Sequence, residues 1–108
     1  MSLEKIYKIP EILMKVSDNV SHYEAMNKTD KYIVWAEDSE SSSLNTDNKK
    51  EIQAIQGTID HFTKKDNDTV VNEIQEALKA EKVSFYLNSV QYEEETGYIH
   101  YEWVWEVS

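Results

Sequence analysis

The sequence lacks cysteine and arginine altogether, and it has one proline and two glycines among its 108 residues. Without cysteine there is no disulfide framework, thiol nucleophile or thiolate metal ligand, which suits a cytosolic folding environment. Without arginine the chain lacks the side chain that makes bidentate contacts to phosphate and guanine. Gly57 and Gly97 are too few and too far apart to form a glycine-rich phosphate loop. The sequence therefore lacks the usual residues for thiol chemistry, nucleotide binding and DNA recognition.

Negative charge dominates the chain, which carries 21 acidic and 11 basic residues and a formal net charge of -10. Carboxylates repel nucleic-acid phosphates and anionic lipid headgroups, so we expect neither nucleic acid nor membrane as a partner. The opening stretch MSLEKIYKIPEILMKV mixes charged with apolar side chains, and we therefore expect no signal peptide and no membrane span. The length fits a single domain, 1–108, with one modest core.

Two segments have the apolar periodicity of amphipathic helices. The first carries Leu3, Ile6, Ile9, Leu13 and Val16, and the second carries Val70, Val71, Ile74, Ala77 and Leu78. Ser2 is placed to cap the first helix, and Pro10 indicates either a kink in that helix or its start. Asp68 or Thr69 is the expected N-cap of the second helix.

Four segments have the composition of β-strands: Lys31–Glu37, Glu51–Thr63, Val83–Tyr92 and Tyr98–Val107. The last two form a hairpin through the stretch EEETG, where Gly97 can supply the positive φ that a short turn requires. Gly57 predicts a bulge or a close backbone approach within the second strand. Residues Val20–Ala25 are ambiguous between strand and loop. The polar segment Asp38–Lys50 predicts a long loop, which is usually functional or mobile.

This order of elements predicts an α+β fold. We expect the order α-β-β-α-β-β, with about four strands in a single mixed or antiparallel sheet and the two helices packed on it. Alternation along the last strand places Ile99, Tyr101, Trp103, Trp105 and Val107 on one face. The rings on this face are expected to pack against the helices. The alternative is a subunit interface, where tyrosine and tryptophan are also enriched.

Few side chains in the sequence suggest catalytic or metal chemistry. The run Glu93–Glu95 lies near His100, but consecutive carboxylates point in alternating directions and lack the spacing of a calcium or zinc site. A solvated turn is therefore favoured over a metal site. None of the three histidines belongs to a recognisable nucleophile motif, and the neighbours Asp60 and His61 would lie on opposite faces of a strand. We expect no enzyme activity, no cofactor and no metal.

Three segments together carry a resemblance to a known family. They are YIVWAED, IQGTIDHFTKKDND and LNSVQYEEETGYIHYEWVWEV. From about His22 to Val107, the sequence resembles a family of small proteins from phage and prophage structural gene clusters of Gram-positive hosts. That family is associated with the tail terminator, or tail completion, role in long-tailed phages. The stretch ESSSLNTDNKK departs from the tighter loop expected of the family.

The resemblance implies a structural protein without a catalytic step. Tail terminators are similar to one another in being small α/β proteins that close into a ring, commonly a hexamer. The ring caps the finished tail tube and meets the head connector. The implied partners are other copies of this chain, the tail tube protein and the head–tail connector protein. The implied location is the virion tail, assembled in the host cytoplasm.

A ring needs a heterologous interface, in which two different surfaces of the subunit meet. Strand edges at Lys31–Glu37 or at the terminal hairpin are the expected sites of contact by strand addition, together with the long loop Asp38–Lys50. The residues expected to contribute are Trp35, Glu37, Asp38, Leu44, Asp47, Glu93, Glu94, Glu95, Tyr98 and His100.

Two alternative functions stay open. The first is a head–tail adaptor or minor capsid protein, which shares the assembly role but binds a different neighbour. The second, less favoured, is an acidic mimic of DNA that inhibits a nuclease. A mimic would need carboxylates in spaced stripes, whereas lysines are interspersed here and acids cluster at Glu93–Glu95.

Overall fold

The chain forms one five-stranded sheet, described for residues 3–41 and 54–108 in a computed structural model. The strands are β1 (Val20–His22), β2 (Lys31–Glu40), β3 (Ile55–Thr63), β4 (Ser84–Glu93) and β5 (Tyr98–Val107). Their order across the sheet is β1-β2-β3-β5-β4. β1 pairs with β2 in parallel, and the other neighbouring strands are antiparallel. The sheet is therefore mixed, with β1 at one edge and β4 at the other.

The structure confirms the predicted α+β class, with two helices and a single mixed sheet. The predicted count of about four strands is wrong, because the sheet has five. The fifth strand is β1, which lies in the segment Val20–Ala25 that the sequence left ambiguous. Val20 pairs with Ile33 and His22 pairs with Trp35. β1 therefore covers part of the edge at Lys31–Glu37 that was expected to be exposed.

Two helical segments pack on the sheet. The first begins as a 3-10 helix, Leu3–Tyr7, and continues as helix α1, Lys8–Leu13. Pro10 lies in the first turn of α1, where a backbone N–H would have no intrahelical acceptor. The second, α2, spans Thr69–Ala80, and Asp68 caps it by accepting a hydrogen bond from the Val70 N–H at 3.0 Å. The proposed cap at Ser2 lies outside the described residues.

The face of the sheet on which the helices pack, here called the helix-covered face, holds the main core. Its helix residues are Ile6, Ile9, Ile12, Leu13, Ile74 and Leu78, and its strand residues include Ile33, Trp35, Ile55, Ile59, Trp103, Trp105 and Val107. Trp103 and Trp105 are fully buried, and Trp103 Nε1–H donates to Gln75 Oε1 of α2 at 3.0 Å. These contacts confirm that the tryptophans of β5 pack against the helices.

A buried polar network ties the start of α2 to the sheet. The Asp68 carboxylate accepts hydrogen bonds from Lys31 Nζ at 3.1 Å and from His61 Nε2 at 3.2 Å, in addition to its capping bond. Burial acts to raise the pKa of Asp68, but these donors and Thr63 outweigh it and hold the pKa well below its ordinary value. Burial lowers the pKa of His61, so the ring is neutral at pH 7 and Nε2–H donates to Asp68.

Candidate interaction surfaces

β4 forms a long outer edge of the sheet. Within the described residues no further strand pairs with it on the side away from β5. The residues from Ser84 to Tyr92 carry no charge, whereas exposed edges usually carry charged side chains that prevent pairing with another chain. Four large apolar or aromatic side chains of β4 are exposed: Tyr86 (58%), Leu87 (44%), Val90 (50%) and Tyr92 (64%). This edge is therefore suited to accept a strand from another molecule.

The opposite edge of the sheet carries a cluster of stacked rings beside a carboxylate. The His22 ring lies 3.8 Å from both the Trp35 and the Tyr23 ring centroids, and it stacks on each. His22 Nε2 contacts Glu37 Oε1 at 2.8 Å, and Tyr23 Oη donates to Glu37 Oε2. Burial acts to raise the pKa of Glu37, but these hydrogen bonds outweigh it and the pKa lies below its ordinary value. The cluster lies at the C-terminal end of β1.

Tyr23 in this cluster has an unusual backbone conformation. Its φ is 72°, a left-handed value that costs a bulky residue of the L configuration about 1–2 kcal/mol. Its side chain is also 61% exposed. Residues with strained backbone conformations cluster at functional sites, so this edge is a second candidate contact surface. The neighbouring side chain of Met26 is 82% exposed.

The face of the sheet away from the helices carries a cross-strand row of rings. Tyr32, Phe62 and His100 are paired in register across β2, β3 and β5. The Phe62 ring stacks on Tyr32 with centroids 4.7 Å apart and on His100 with centroids 4.1 Å apart. These rings line a hollow of about 350 Å³ together with Tyr23, Glu24, Ala25, Lys28, Val34 and Asp60.

Both ring nitrogens of His100 face carboxylates. Nε2 lies 2.6 Å from Asp60 Oδ1 on β3, and Nδ1 lies 4.0 Å from Glu93 Oε2 on β4. The hydrogen bond to Asp60 raises the pKa of His100 above its ordinary value, against an opposing effect of burial. His100 therefore links β5 to carboxylates on the two strands that flank it, and this pairing favours its charged form.

We expect Asp60→Asn to lower the pKa of His100, because the amide oxygen of asparagine accepts a hydrogen bond without carrying charge. Glu93→Gln, which removes the more distant carboxylate, should lower the pKa less. An NMR titration of the imidazole C–H signals measures both changes. Because the folded-state pKa is raised, the pair stabilises the fold at pH below about 6.5, and this stability is lost as pH rises through the folded-state pKa. An unchanged pKa in Asp60→Asn would contradict the assigned pairing.

The structure places the predicted interface residues in two groups, one along β2 and the other at or near the β4–β5 turn. Trp35 is 3% exposed and belongs to the core, while Glu37 belongs to the ring cluster and Asp38 is exposed at the end of β2. Leu44 and Asp47 lie outside the described residues.

The other predicted interface residues lie at or near the β4–β5 turn. Glu94 and Glu95 are exposed in the turn, and Gly97 has the expected positive φ of 82°. Glu93 and His100 are brought together, as described above. Tyr98 is 9% exposed, and its Oη donates to the Thr29 carbonyl at 2.7 Å. Within the described ranges, no three histidine or carboxylate side chains form a group that could hold a metal ion.

Sequence reasoning missed the exposed side chains of β4 and the partner of His100. The lack of charged residues from Ser84 to Tyr92 could have indicated the exposed surface of β4. Only the strand order, however, shows that β4 lies at an edge of the sheet. The pairing of His100 with Asp60 depends on the register of β3 with β5, in which Asp60 and Phe62 follow each other on one face. No sequence pattern indicated it.

No protein-family model matches the chain, and no curated protein matches it. Among the described residues, no helix is long and apolar enough to cross a membrane.

Proposed function

We propose that this protein is a non-enzymatic phage tail assembly protein that caps the tail tube as a ring and joins it to the head connector. The observation that carries this proposal is the outer edge of β4, which is long, uncharged from Ser84 to Tyr92 and exposed. An edge of this kind is costly for a protein that functions alone, because it invites aggregation. It is useful in a protein whose working state is an assembly.

The tail terminator role is supported by the resemblance of the sequence to that family, and the fold is compatible with it. A small α+β domain whose two sheet edges differ in composition can form the heterologous contact that a ring requires. The excess of negative charge suits a basic surface on the tube or connector. The proposed location is the tail of the virion, and the proposed partners are other copies of the chain, the tail tube protein and the connector protein.

Lysine substitutions on β4 test this use of the edge. We expect Leu87→Lys combined with Val90→Lys to reduce self-association and binding to the tube protein at least about tenfold, since charged side chains on an edge strand oppose strand addition. Both side chains are at least 44% exposed, so the variant should fold normally. Light scattering coupled to size exclusion, with and without the tail tube protein of the same phage, measures the assembly.

The matched control is Asn72→Lys, which adds a lysine at an exposed position of α2. It should assemble like the unmodified chain. A chain that stays monomeric at all concentrations and does not bind the tube protein would refute the proposal. Copurification with the portal or an adaptor in place of the tube protein would instead support the head–tail adaptor role.

A further inference from the structure

The outer side of β4 is a free strand edge of full length. Within the described residues no strand pairs with it over any of its ten positions, Ser84–Glu93, whereas the three residues of β1 already occupy part of the opposite edge of the sheet. Pairing along all of β4 therefore needs a partner whose own edge is equally long and free. A second copy of this chain supplies one, because its β4 is the same strand.

The register of β4 with β5 shifts near the middle of β4. Leu87 pairs with Trp103, and Ser89 pairs with the neighbouring residue of β5. Asn88 is therefore an extra residue in β4, a β-bulge. Because of this shift, the side chains that β4 places on the helix-covered face have odd numbers before the bulge and even numbers after it. They are Phe85, Leu87, Val90 and Tyr92.

The helices leave the outer part of the helix-covered face open. Leu87 is 44% exposed, although Trp103, its partner on β5, is fully buried. Val90 and Tyr92 on the same face are 50% and 64% exposed. These three side chains, here called the β4 strip, therefore form an apolar surface that lies beside the free edge and beyond the cover of the helices.

The bulge makes β4 complementary to a second copy of itself. Two copies pair over their whole length when they run antiparallel and the first residue of one lies opposite the last residue of the other. In this register Leu87 lies opposite Val90, and Phe85 lies opposite Tyr92. Directly opposite residues of an antiparallel pair share a face, and these four residues all lie on the helix-covered face. Without the extra residue, Leu87 and Val90 would lie on opposite faces of the strand.

The two ends of β4 carry opposite charges. Beside its start, Lys5, Lys8 and Lys82 line a hollow of about 160 Å³ together with one glutamate, Glu106. At its other end lies the run Glu93–Glu95, whose last two residues are exposed. Antiparallel pairing places the basic end of each copy beside the acidic end of the other, with Lys82 next to the glutamate run. Opposite charges at the rim of an interface set the register and speed the encounter.

We propose that two copies of this chain pair through β4 in a two-fold contact, so that the free protein is a dimer in which the five-stranded sheets of both copies form one continuous sheet. A two-fold contact uses the same surface on both subunits, which is what the match between the two halves of β4 provides. The helix-covered faces of both copies then lie on the same side of the sheet. The two β4 strips join into one apolar surface that is flanked by the helices of both copies.

This inference rests on the proposed function in one respect, which is the order of events. The proposed contacts in the ring and on the tube use the same β4 edge, so a chain paired through β4 cannot make them at the same time. The dimer is therefore the form of the chain before assembly, and it protects an edge that would otherwise invite aggregation. It opens when the tube protein competes for β4.

The absence of cysteine makes disulfide trapping a direct test. Tyr86 and Gln91 lie opposite each other across the proposed contact, and both are exposed. We expect an oxidised 1:1 mixture of Tyr86→Cys and Gln91→Cys chains to give a mixed dimer in several-fold excess over a mixture in which Asn72→Cys, at an exposed position of α2, replaces Gln91→Cys. Either β4 variant alone should give little product, since its two cysteines would lie about 17 Å apart along the strands, too far for a disulfide. The double variant Tyr86→Cys/Gln91→Cys should stop at a covalent dimer.

The charges at the ends of β4 are tested in the same assay. Lys82→Glu in both chains of the mixture should lower the yield of the mixed dimer several-fold at low salt, because it places like charges together. Adding Glu94→Lys and Glu95→Lys to both chains should restore the yield. The matched control is Lys65→Glu, which makes the same change of net charge at an exposed position before α2 and should leave the yield unchanged.

Binding to the tube protein separates this inference from the proposed function. The oxidised double variant should not bind the tube protein, and a reductant should restore binding. A Tyr86→Cys homodimer as abundant as the mixed dimer would overturn the two-fold register, and so would the absence of any product above the control. If the unmodified chain then still binds the tube protein, the proposed function stands and this inference alone is removed. A mixed dimer whose reduced form ignores the tube protein would support the dimer and refute the proposed function.

Discussion

Asp68→Ala is expected to lower the free energy of unfolding by about 2–4 kcal/mol, since it removes an N-cap worth about 1 kcal/mol and leaves the buried N–H of His61 without its acceptor, at a cost of about 1–3 kcal/mol. The Asp68 side chain is fully buried, and it accepts hydrogen bonds from Lys31, from His61 and from the first turn of α2. Alanine removes the N-cap and leaves both basic side chains without their acceptor. Urea-induced unfolding followed by tryptophan fluorescence measures the loss.

Two further variants separate the parts of this effect. Asp68→Asn keeps an oxygen that can cap the Val70 N–H but removes the charge, so we expect a loss intermediate between the unmodified chain and Asp68→Ala. This variant also keeps the experiment informative if Asp68→Ala fails to fold. Asp66→Ala changes an exposed carboxylate two residues away, and its effect should stay within about 0.5 kcal/mol. Equal effects at Asp66 and Asp68 would contradict the role of the network.

The pH dependence of stability provides a second measurement of the same network. The pKa of Asp68 is lowered in the folded state, so its contribution is complete above the ordinary pKa of about 3.9 and is lost as pH falls toward the folded-state value. The pKa of His61 is also lowered. Folding therefore becomes less favourable as pH falls below about 6.5, where the unfolded chain takes up a proton that the folded chain resists. In Asp68→Asn the part of the decline below about pH 4 should become smaller, and what remains is the contribution of other carboxylates such as Glu37, whose pKa is also lowered.

The elements with strong local signals could be predicted from the sequence. α2 has an unbroken apolar stripe, and Asp68 is one of its two predicted caps. The β4–β5 hairpin follows from two runs of β-forming residues separated by a glycine-containing turn, and Gly97 has the predicted conformation. In each case the information lies within the element itself and the turn or cap beside it, which is the range over which periodicity and capping act.

The fifth strand could not be predicted in this way, because β1 has only three residues. Its existence depends on β2, whose backbone supplies the parallel partner at Ile33, Val34 and Trp35. The surrounding residues Ser17 to Asn19 gave no strand pattern. A strand of three residues that forms only against its partner is too short to show a periodic pattern in the sequence.

The candidate surfaces could be predicted from the sequence even less than β1, because they depend on how distant segments are arranged in the fold. The position of β4 at an edge follows from the insertion of β5 between β3 and β4, and no local feature of Ser84–Glu93 specifies that order. Similarly, Lys8 of α1 and Lys82, which precedes β4, line the same hollow of the fold. Their sequence separation is large, so charge counting along the chain shows only the acidic excess and not that these lysines share one hollow.

Gly57→Ala is expected to lower the free energy of unfolding by more than about 3 kcal/mol, at or beyond the upper end of typical overpacking effects. Gly57 lies opposite Glu37 on β2 and Trp105 on β5. A Cβ atom at Gly57 would overlap the Ala36 carbonyl oxygen and the Trp105 indole, and it would lie 2.8 Å from the Glu37 Cα. Two of these three neighbours are backbone atoms, which cannot move without disturbing the pairing of β2 with β3.

A matched series tests this explanation by denaturant unfolding. Gly97→Ala meets open space in the turn, and only its positive φ opposes the change, so we expect a loss of about 1–2 kcal/mol. Trp105→Phe removes part of the ring that Cβ would strike, but it leaves the Ala36 carbonyl in place. Adding Gly57→Ala to the Trp105→Phe chain should therefore lower the free energy of unfolding by nearly as much as adding it to the unmodified chain. A much smaller loss in the Trp105→Phe chain would mean that the indole, and not the close approach of two backbones, is the reason for glycine at this position.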